Sequence, residues 1–327
     1  MNTQVEYLGL SLASPIVVGS CALTSELDNV RKMKEFGAGA VVLKSLFEEQ
    51  ILLEIGKMGR VAINYGYYND SYDYIKNHIN NDDVEKYLQY IKTVKKEVDI
   101  PVIGSINCFS FDKWVYFVKK IEDAGADALE LNMNFLPTNV NMSAEDVENL
   151  YGDIIGTLKK SSEIPIVIKC GNYFTDMAKF LQRISWMGIK GLTLFNKNVG
   201  LDIDIEKMEY KNPCIYSGTS ELCNTLQWTA ILSNMVRCNI SATGGVQIGE
   251  DVIKLLLAGA ANVQVVSCLY RNGISYIKEL KKDLETWMSF NGYDTIEDFR
   301  GVLSMKSVKN PDALMRIRLM KDYTEFE

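Results

Sequence analysis

The chain of 327 residues carries one histidine, His78. So little imidazole argues against His-ligated metal centres and against a Ser-His-Asp triad. The seven cysteines (21, 108, 170, 214, 223, 238 and 268) are odd in number and never spaced CxxC. They offer neither zinc nor iron–sulfur ligand spacing and read as reduced packing residues of a cytoplasmic protein, with no metal site. No apolar run reaches membrane-spanning length. The opening MNTQVEYLGLSLASPIVVGS lacks the basic start and sustained apolar core of a secretory leader. Basic excess is also missing: a net charge of −7 points away from nucleic acid and anionic membranes. No linker rich in Pro, Gly or Ser divides the chain, so residues 1–327 read as one domain, with 291–327 as its C-terminal tail. At 47% hydrophobic and 24% charged residues, that domain can bury a sizeable core. Chemistry must come from other side chains or a cofactor.

What is present is a repeated pattern. EFGAGAVVLKS (35–45), EDAGADALELN (122–132), WMGIKGLTLFN (186–196) and LAGAANVQVVS (257–267) each end a helix at glycine, turn, and run apolar residues into a polar one. Glycine past a helix terminates it through a left-handed residue. A near-continuous apolar run suits a parallel strand covered on both faces. Filling in gives eight strands, beginning near Ile16, Val41, Val102, Ala128, Ile166, Leu192, Ser241 and Asn262. Helices are expected over Asp28–Phe36, Val84–Val98, Phe111–Asp123, from a capping box at Ser143 and Asp146, from Asp176, over Thr225–Val236, after Gly244-Gly245, and over Ile274–Phe290. The expected fold is a single α/β (β/α)8 TIM barrel with long loops after strands two and six. A doubly wound sheet is the alternative, disfavoured because SCALTS stands where GxGxxG would follow the first strand.

The strand ends carry the chemistry, because ligands of parallel barrels bind at the C-terminal face. Ser20, Lys44, Ser45, Asn107, Asn132, Lys169 and Asn196 fall there. A lysine at a buried strand end is costly unless it meets an anion or serves a reaction. Asparagines present paired donors and acceptors suited to a planar, amide-bearing ring. In the stretch Ser241–Arg271, Gly244-Gly245 lets backbone N–H groups approach an oxyanion. The Ser267-Cys268 end of the last strand opens a helix, making this the expected phosphate site.

ALELNMN, IPIVIKCG, LTLFN, YSGTS and ATGGVQIGEDVIKLLLAGAANVQVVS, in that order, resemble the dihydroorotate dehydrogenases, especially the soluble class 1 enzymes. The resemblance implies an FMN barrel of the pyrimidine-biosynthesis type, oxidising a CH–CH bond. It implies that Ser20, Lys44, Ser45, Asn107, Asn132 and Lys169 line the flavin ring. By the same resemblance Gly218, Thr219, Gly244, Gly245, Ser267 and Cys268 hold ribityl and phosphate. Asn64, Asn132 and Asn196 would face a small-molecule substrate. A homodimer is also implied; the electron acceptor is left open. One departure matters most: after strand four the chain reads Asn132-Met133-Asn134-Phe135-Leu136-Pro137, with Phe135 where the class 1 cysteine base would stand. Phe cannot take a proton. Lys44 and Lys169 remain as electrostatic candidates, and Cys21, Cys170 and tyrosines 65, 67 and 68 as substitute bases. Poor oxidation of dihydroorotate and a more aromatic pocket shaped by Phe135 are expected. Two other readings stay open: a phosphate-binding lyase or isomerase using Lys169 as a Schiff-base nucleophile, and a flavin-carrying subunit without turnover.

Overall fold

The computed structural model describes residues 1–54, 83–107, 115–197, 200–211, 216–307 and 309–324. Eight parallel strands close on themselves: β1 (Ile16–Val18), β2 (Ala40–Val42), β3 (Val102–Asn107), β4 (Ala128–Met133), β5 (Ile166–Cys170), β6 (Gly191–Leu194), β7 (Asn239–Thr243) and β8 (Asn262–Val265). Registers run from Val17 opposite Ala40 through Ile103 opposite Ala128 to Val263 opposite Ile16, where β8 returns to β1. Helices lie between successive strands, so the protein is a (β/α)8 barrel.

The repeated glycines act as expected. Gly37, Gly125, Gly188 and Gly259 all adopt positive φ, between 91° and 112°. Each lets a helix stop and the chain turn directly into the next strand. The helix Ala144–Ser161 begins at the expected capping box: Ser143 Oγ accepts the Asp146 N–H, and the Asp146 carboxylate accepts the Ser143 N–H.

Some boundaries move, and two hairpins appear that the apolar pattern did not mark. The helix expected from Thr225 begins at Thr219. Its first two turns face the cavity with Ser220, Glu221 and Asn224, so they lack the apolar spacing by which a helix is recognised. Lys44 and Asn196 lie beyond their strands, which end at Val42 and Leu194. A hairpin, Val5–Tyr7 with Leu10–Leu12, covers the N-terminal end of the barrel. There Leu8 and Tyr7 occupy the space a side chain on Gly191 would need. The second hairpin, Asp202–Asp204 with Glu209–Lys211, stands in the long connection after β6. Such three-residue strands are too short for alternation to declare them.

After the helix Tyr276–Asn291 the chain does not simply trail away. Ile296 and Phe299 are buried, Phe299 packs edge-on against Trp287, and Gly301 and Leu303 donate to carbonyls at the end of the helix Gly249–Ala258. Among the described residues, no helix is long and apolar enough to cross a membrane.

Candidate active site

Strand pleating determines what the barrel encloses. Alternate residues of a strand point to opposite faces. On β4, Glu130 faces inward, its Oε2 accepting from Thr193 on β6 and Gln264 on β8, each at 2.8 Å. Asn132 shares its parity. Leu129, Leu131 and Met133 face the helices, and the Met133 carbonyl accepts from Tyr151 at 2.6 Å. Barrel interiors are ordinarily filled by branched apolar side chains. Here Ser105, Glu130, Thr193, Ser241, Asn262 and Gln264 are all buried within the strands, and Ser241 donates to Asn262 at 2.6 Å. Burial, joined by the Glu130 charge, pushes the Tyr7 phenol upward at the closed end.

At the open end lies a cavity of about 440 Å³, within the range usual for small-molecule sites. Six of the predicted residues line it: Ser20, Lys169, Asn196, Gly244, Gly245 and Ser267. Lys169 is 7% exposed, and its Nζ lies 3.6 Å from Glu130 Oε1. The anion a buried lysine requires is therefore supplied by the protein itself. Lys44 is exposed, so no burial cost attaches to it. Ser45 joins the site through Ser20: its N–H donates to Ser20 Oγ, and the two hydroxyls lie 3.0 Å apart. Ser45 Oγ in turn lies 2.8 Å from Ser105 Oγ. Asn107, Asn132 and Lys169 form one row across β3, β4 and β5, Asn107 opposite Asn132 and Asn132 opposite Lys169.

The glycine pair has the expected left-handed backbone, with the Gly245 N–H already engaged by Ser217. Gly244 and Gly245 have φ of +102° and +81°. A Cβ on Gly245 would lie 2.3 Å from the Leu222 nitrogen and 2.5 Å from the Gly218 carbonyl oxygen. The Gly245 N–H donates to Ser217 Oγ, which lies 3.1 Å from Ser267 Oγ; the Ser217 N–H also donates to Ser267 Oγ. Gln247 fastens this corner by donating to the Ser217 and Gly245 carbonyls.

Other predicted residues are placed differently. The Gly218 N–H is taken by Glu221, whose carboxylate also accepts from Ser220. Partial burial works to raise the Glu221 carboxyl, but these hydrogen bonds outweigh it and hold it below the usual carboxylate range. Gly218 and Thr219 thus serve the start of their own helix, whose end already holds an anion. The Cys268 side chain is fully buried, and burial pushes its thiol up to about 11. Asn64 and tyrosines 65, 67 and 68 lie outside the described residues.

Among the described residues lining this cavity Phe135 does not appear. It continues the outward parity of β4 and packs on Tyr151, ring centroids 5.9 Å apart, beside Phe174 and Phe180. Inward parity falls to Asn134, whose Oδ1 lies where a Gly171 Cβ would be. The thiol candidates fare no better: burial raises Cys21 and pushes Cys170 up to about 12. Both shifts work against either thiol serving as a base.

Glu130, Thr193, Ser217, Glu221 and Gln264 escaped sequence reading. A signal existed for three of them: Glu130, Thr193 and Gln264 each interrupt an apolar strand run (ALELN, LTLFN, VQVV), and a buried carboxylate there demands partners. Several buried acceptors are left over. Asn132 Oδ1, Asn134 Oδ1 and Gln264 Oε1 have no hydrogen-bond partner among the described residues. Buried carbonyls ordinarily find a donor, and the N–H edge of a planar heterocycle would supply one. With the glycine turn and the serine hydroxyls, these residues fit a phosphorylated flavin.

Fold and mouth together define a (β/α)8 barrel protein with a polar ligand cavity at the C-terminal ends of its strands. A family model described as dihydroorotate dehydrogenase matches residues 3–288. The chain belongs to the dihydroorotate dehydrogenase family, a family of flavoprotein oxidoreductases. It is 25% identical over 303 residues to the dihydroorotate dehydrogenase B (NAD(+)) catalytic subunit of Thermoplasma volcanium, covering 90% of this chain and 96% of that one. The protein of the same name from Methanocaldococcus jannaschii is 25% identical over 312 residues, covering 90% and 95%. Chloroplastic dihydropyrimidine dehydrogenase (NADP(+)) of Arabidopsis thaliana is 23% identical over 332 residues, covering 92% and 76%.

Proposed function

We propose that the protein is an FMN-dependent oxidoreductase acting on a CH–CH bond of a small ring with N–H donors, of the dihydropyrimidine type. The observation that carries this reading is the buried Lys169 ammonium on the cavity wall, in one strand row with an Asn132 carbonyl that has no partner among the described residues. FMN, when bound, supplies hydride acceptance and release. Lys169 supplies fixed positive charge, which stabilises negative charge arising in the cavity. The Asn132 and Gln264 carbonyls accept ligand N–H groups, and the Gly244-Gly245 turn with Ser217 and Ser267 receives the phosphate. Asn196, on the cavity wall with its N–H held by the Cys170 carbonyl, presents its side chain to the substrate.

Dihydroorotate itself fits less well than the family name suggests. Phe135 stands in the place of the family base and is turned to the helices, and burial raises the Cys21 and Cys170 thiols. The reading therefore favours a substrate whose oxidation needs no cysteine base, or operation as a reductase. Purified protein tests it directly. The visible spectrum and the mass of the released cofactor identify FMN. Anaerobic bleaching with dihydropyrimidines and dihydroorotate, followed by reoxidation with NAD+ or fumarate, identifies substrate class and acceptor. A folded preparation that takes up no FMN refutes the reading.

A further inference from the structure

We propose that Glu130 is a positioning residue that restrains Lys169 and offsets part of its positive charge at the cavity, so that the Glu130–Lys169 pair, rather than the lysine alone, sets the electron affinity of the bound flavin. This rests on the FMN reading above.

The argument begins with cost. Glu130 is 1% exposed, and a carboxylate taken from water is expensive unless it is hydrogen-bonded and paired. A carboxylate retained only for packing would be expected to satisfy both oxygens. Glu130 satisfies one. Oε2 accepts from Thr193 and Gln264, while Oε1 has no hydrogen-bond partner among the described residues and faces Lys169 Nζ at 3.6 Å. That separation is too long for a hydrogen bond but short for two charges.

The anchors explain the gap. Thr193 is on β6 and Gln264 on β8, while Glu130 is on β4; donors from two other strands hold the carboxylate in the barrel and prevent it from turning fully to the lysine. Lys169, on β5, reaches the cavity wall from the same interior. Its ammonium is drawn inward by Glu130 and is available outward to whatever the cavity holds. Three donors on one nitrogen allow both. The ligand therefore meets a lysine whose ammonium is held back by a fixed negative charge behind it.

The sign of each perturbation follows. Glu130→Gln keeps a carbonyl for Thr193 and Gln264 but removes the charge. The bound flavin should then have a higher reduction potential and bind sulfite more tightly, since sulfite adds where nearby positive charge stabilises the adduct. The expected gain in sulfite affinity is on the order of tenfold, because the ammonium, no longer drawn back by Glu130, can approach the ligand, and its attraction rises as the separation shortens. Thr193→Val acts oppositely: it releases one anchor, lets the carboxylate turn toward Lys169, and should weaken sulfite binding.

The experiment uses FMN-loaded protein and measures potential and sulfite affinity in wild type, Glu130→Gln, Thr193→Val, Lys169→Met and the double variant Glu130→Gln/Lys169→Met. Opposite shifts in Glu130→Gln and Thr193→Val, with the Glu130→Gln shift largely lost in the Lys169→Met background, support the proposal. An unshifted Glu130→Gln, or an equal shift with and without Lys169, overturns it. If Glu130→Gln does not fold, an unshifted Thr193→Val overturns it alone. Failure of wild type to hold FMN sinks the functional reading instead, so the two failures are separable.

Discussion

Gly245 and Gly244 are neighbours of the same residue type at positive φ, yet alanine should cost very different amounts at each. Alanine at Gly244 meets Thr225 Oγ1 at 3.5 Å and Glu221 Cβ at 3.8 Å, ordinary contacts. The cost there is conformational, about 1–2 kcal/mol for an L-residue in left-handed space. At Gly245 the same penalty applies, and the new Cβ also falls 2.3 Å from the Leu222 nitrogen and 2.5 Å from the Gly218 carbonyl oxygen. Both are backbone atoms at the start of the helix Thr219–Leu232 and cannot rotate aside, so that helix must retreat by about 1 Å, at roughly 1–3 kcal/mol more. Gly245→Ala should therefore lose about 2–5 kcal/mol, and Gly244→Ala about 1–2 kcal/mol. The retreat also pulls Ser217 from the Gly245 N–H, so FMN retention should fall further in Gly245→Ala than in Gly244→Ala. Urea unfolding of the apo-proteins measures the first quantity and equilibrium FMN titration the second. Equal losses for the two variants would falsify the packing argument and leave backbone conformation as the whole effect.

Lys169→Met should retain FMN but lower its reduction potential and slow its reduction, because fixed positive charge leaves the cavity wall; an unchanged potential in spectroelectrochemical titration would assign Lys169 a purely structural role. Borohydride with a carbonyl ligand should leave the mass of Lys169 unchanged, and a trapped adduct would favour the Schiff-base alternative. Phe135→Cys should fail to install dihydroorotate oxidation, since the new thiol points at Tyr151; a gain approaching the 10²–10⁴ typical of a general base, read by anaerobic flavin bleaching, would show that the loop turns over when substrate binds. The Ser143–Asp146 capping box gives a pH signature. The Ser143 N–H and hydroxyl hold Asp146 below its ordinary 3.8; a depressed folded-state value gives stability that is present above the unfolded value and lost as pH falls through the folded one. The stability deficit of Ser143→Ala should thus be widest near neutral pH and shrink in acid; a pH-independent deficit across denaturation curves would refute this linkage.

Features that depend on a few consecutive residues were legible in the linear chain. The glycine-ended helices, the apolar strand runs and the capping box each follow from local backbone preferences, and together they defined the barrel and put Ser20, Lys169, Asn196 and the Gly244-Gly245 turn at its mouth. Features that depend on where several strands meet were not. Lys44 and Lys169 look alike at strand ends, yet one is exposed and the other faces a buried carboxylate, because only the closed sheet brings β4, β6 and β8 around Glu130. Phe135 falls, by resemblance of the motif after strand four, where the family's cysteine is expected, but strand parity and Tyr151 turn it outward and leave Asn134 on the inner face. Local sequence determines how each strand and turn is made; which side chains share the enclosed space is decided only when the sheet closes, since closure brings together residues more than a hundred positions apart, such as Glu130 and Gln264.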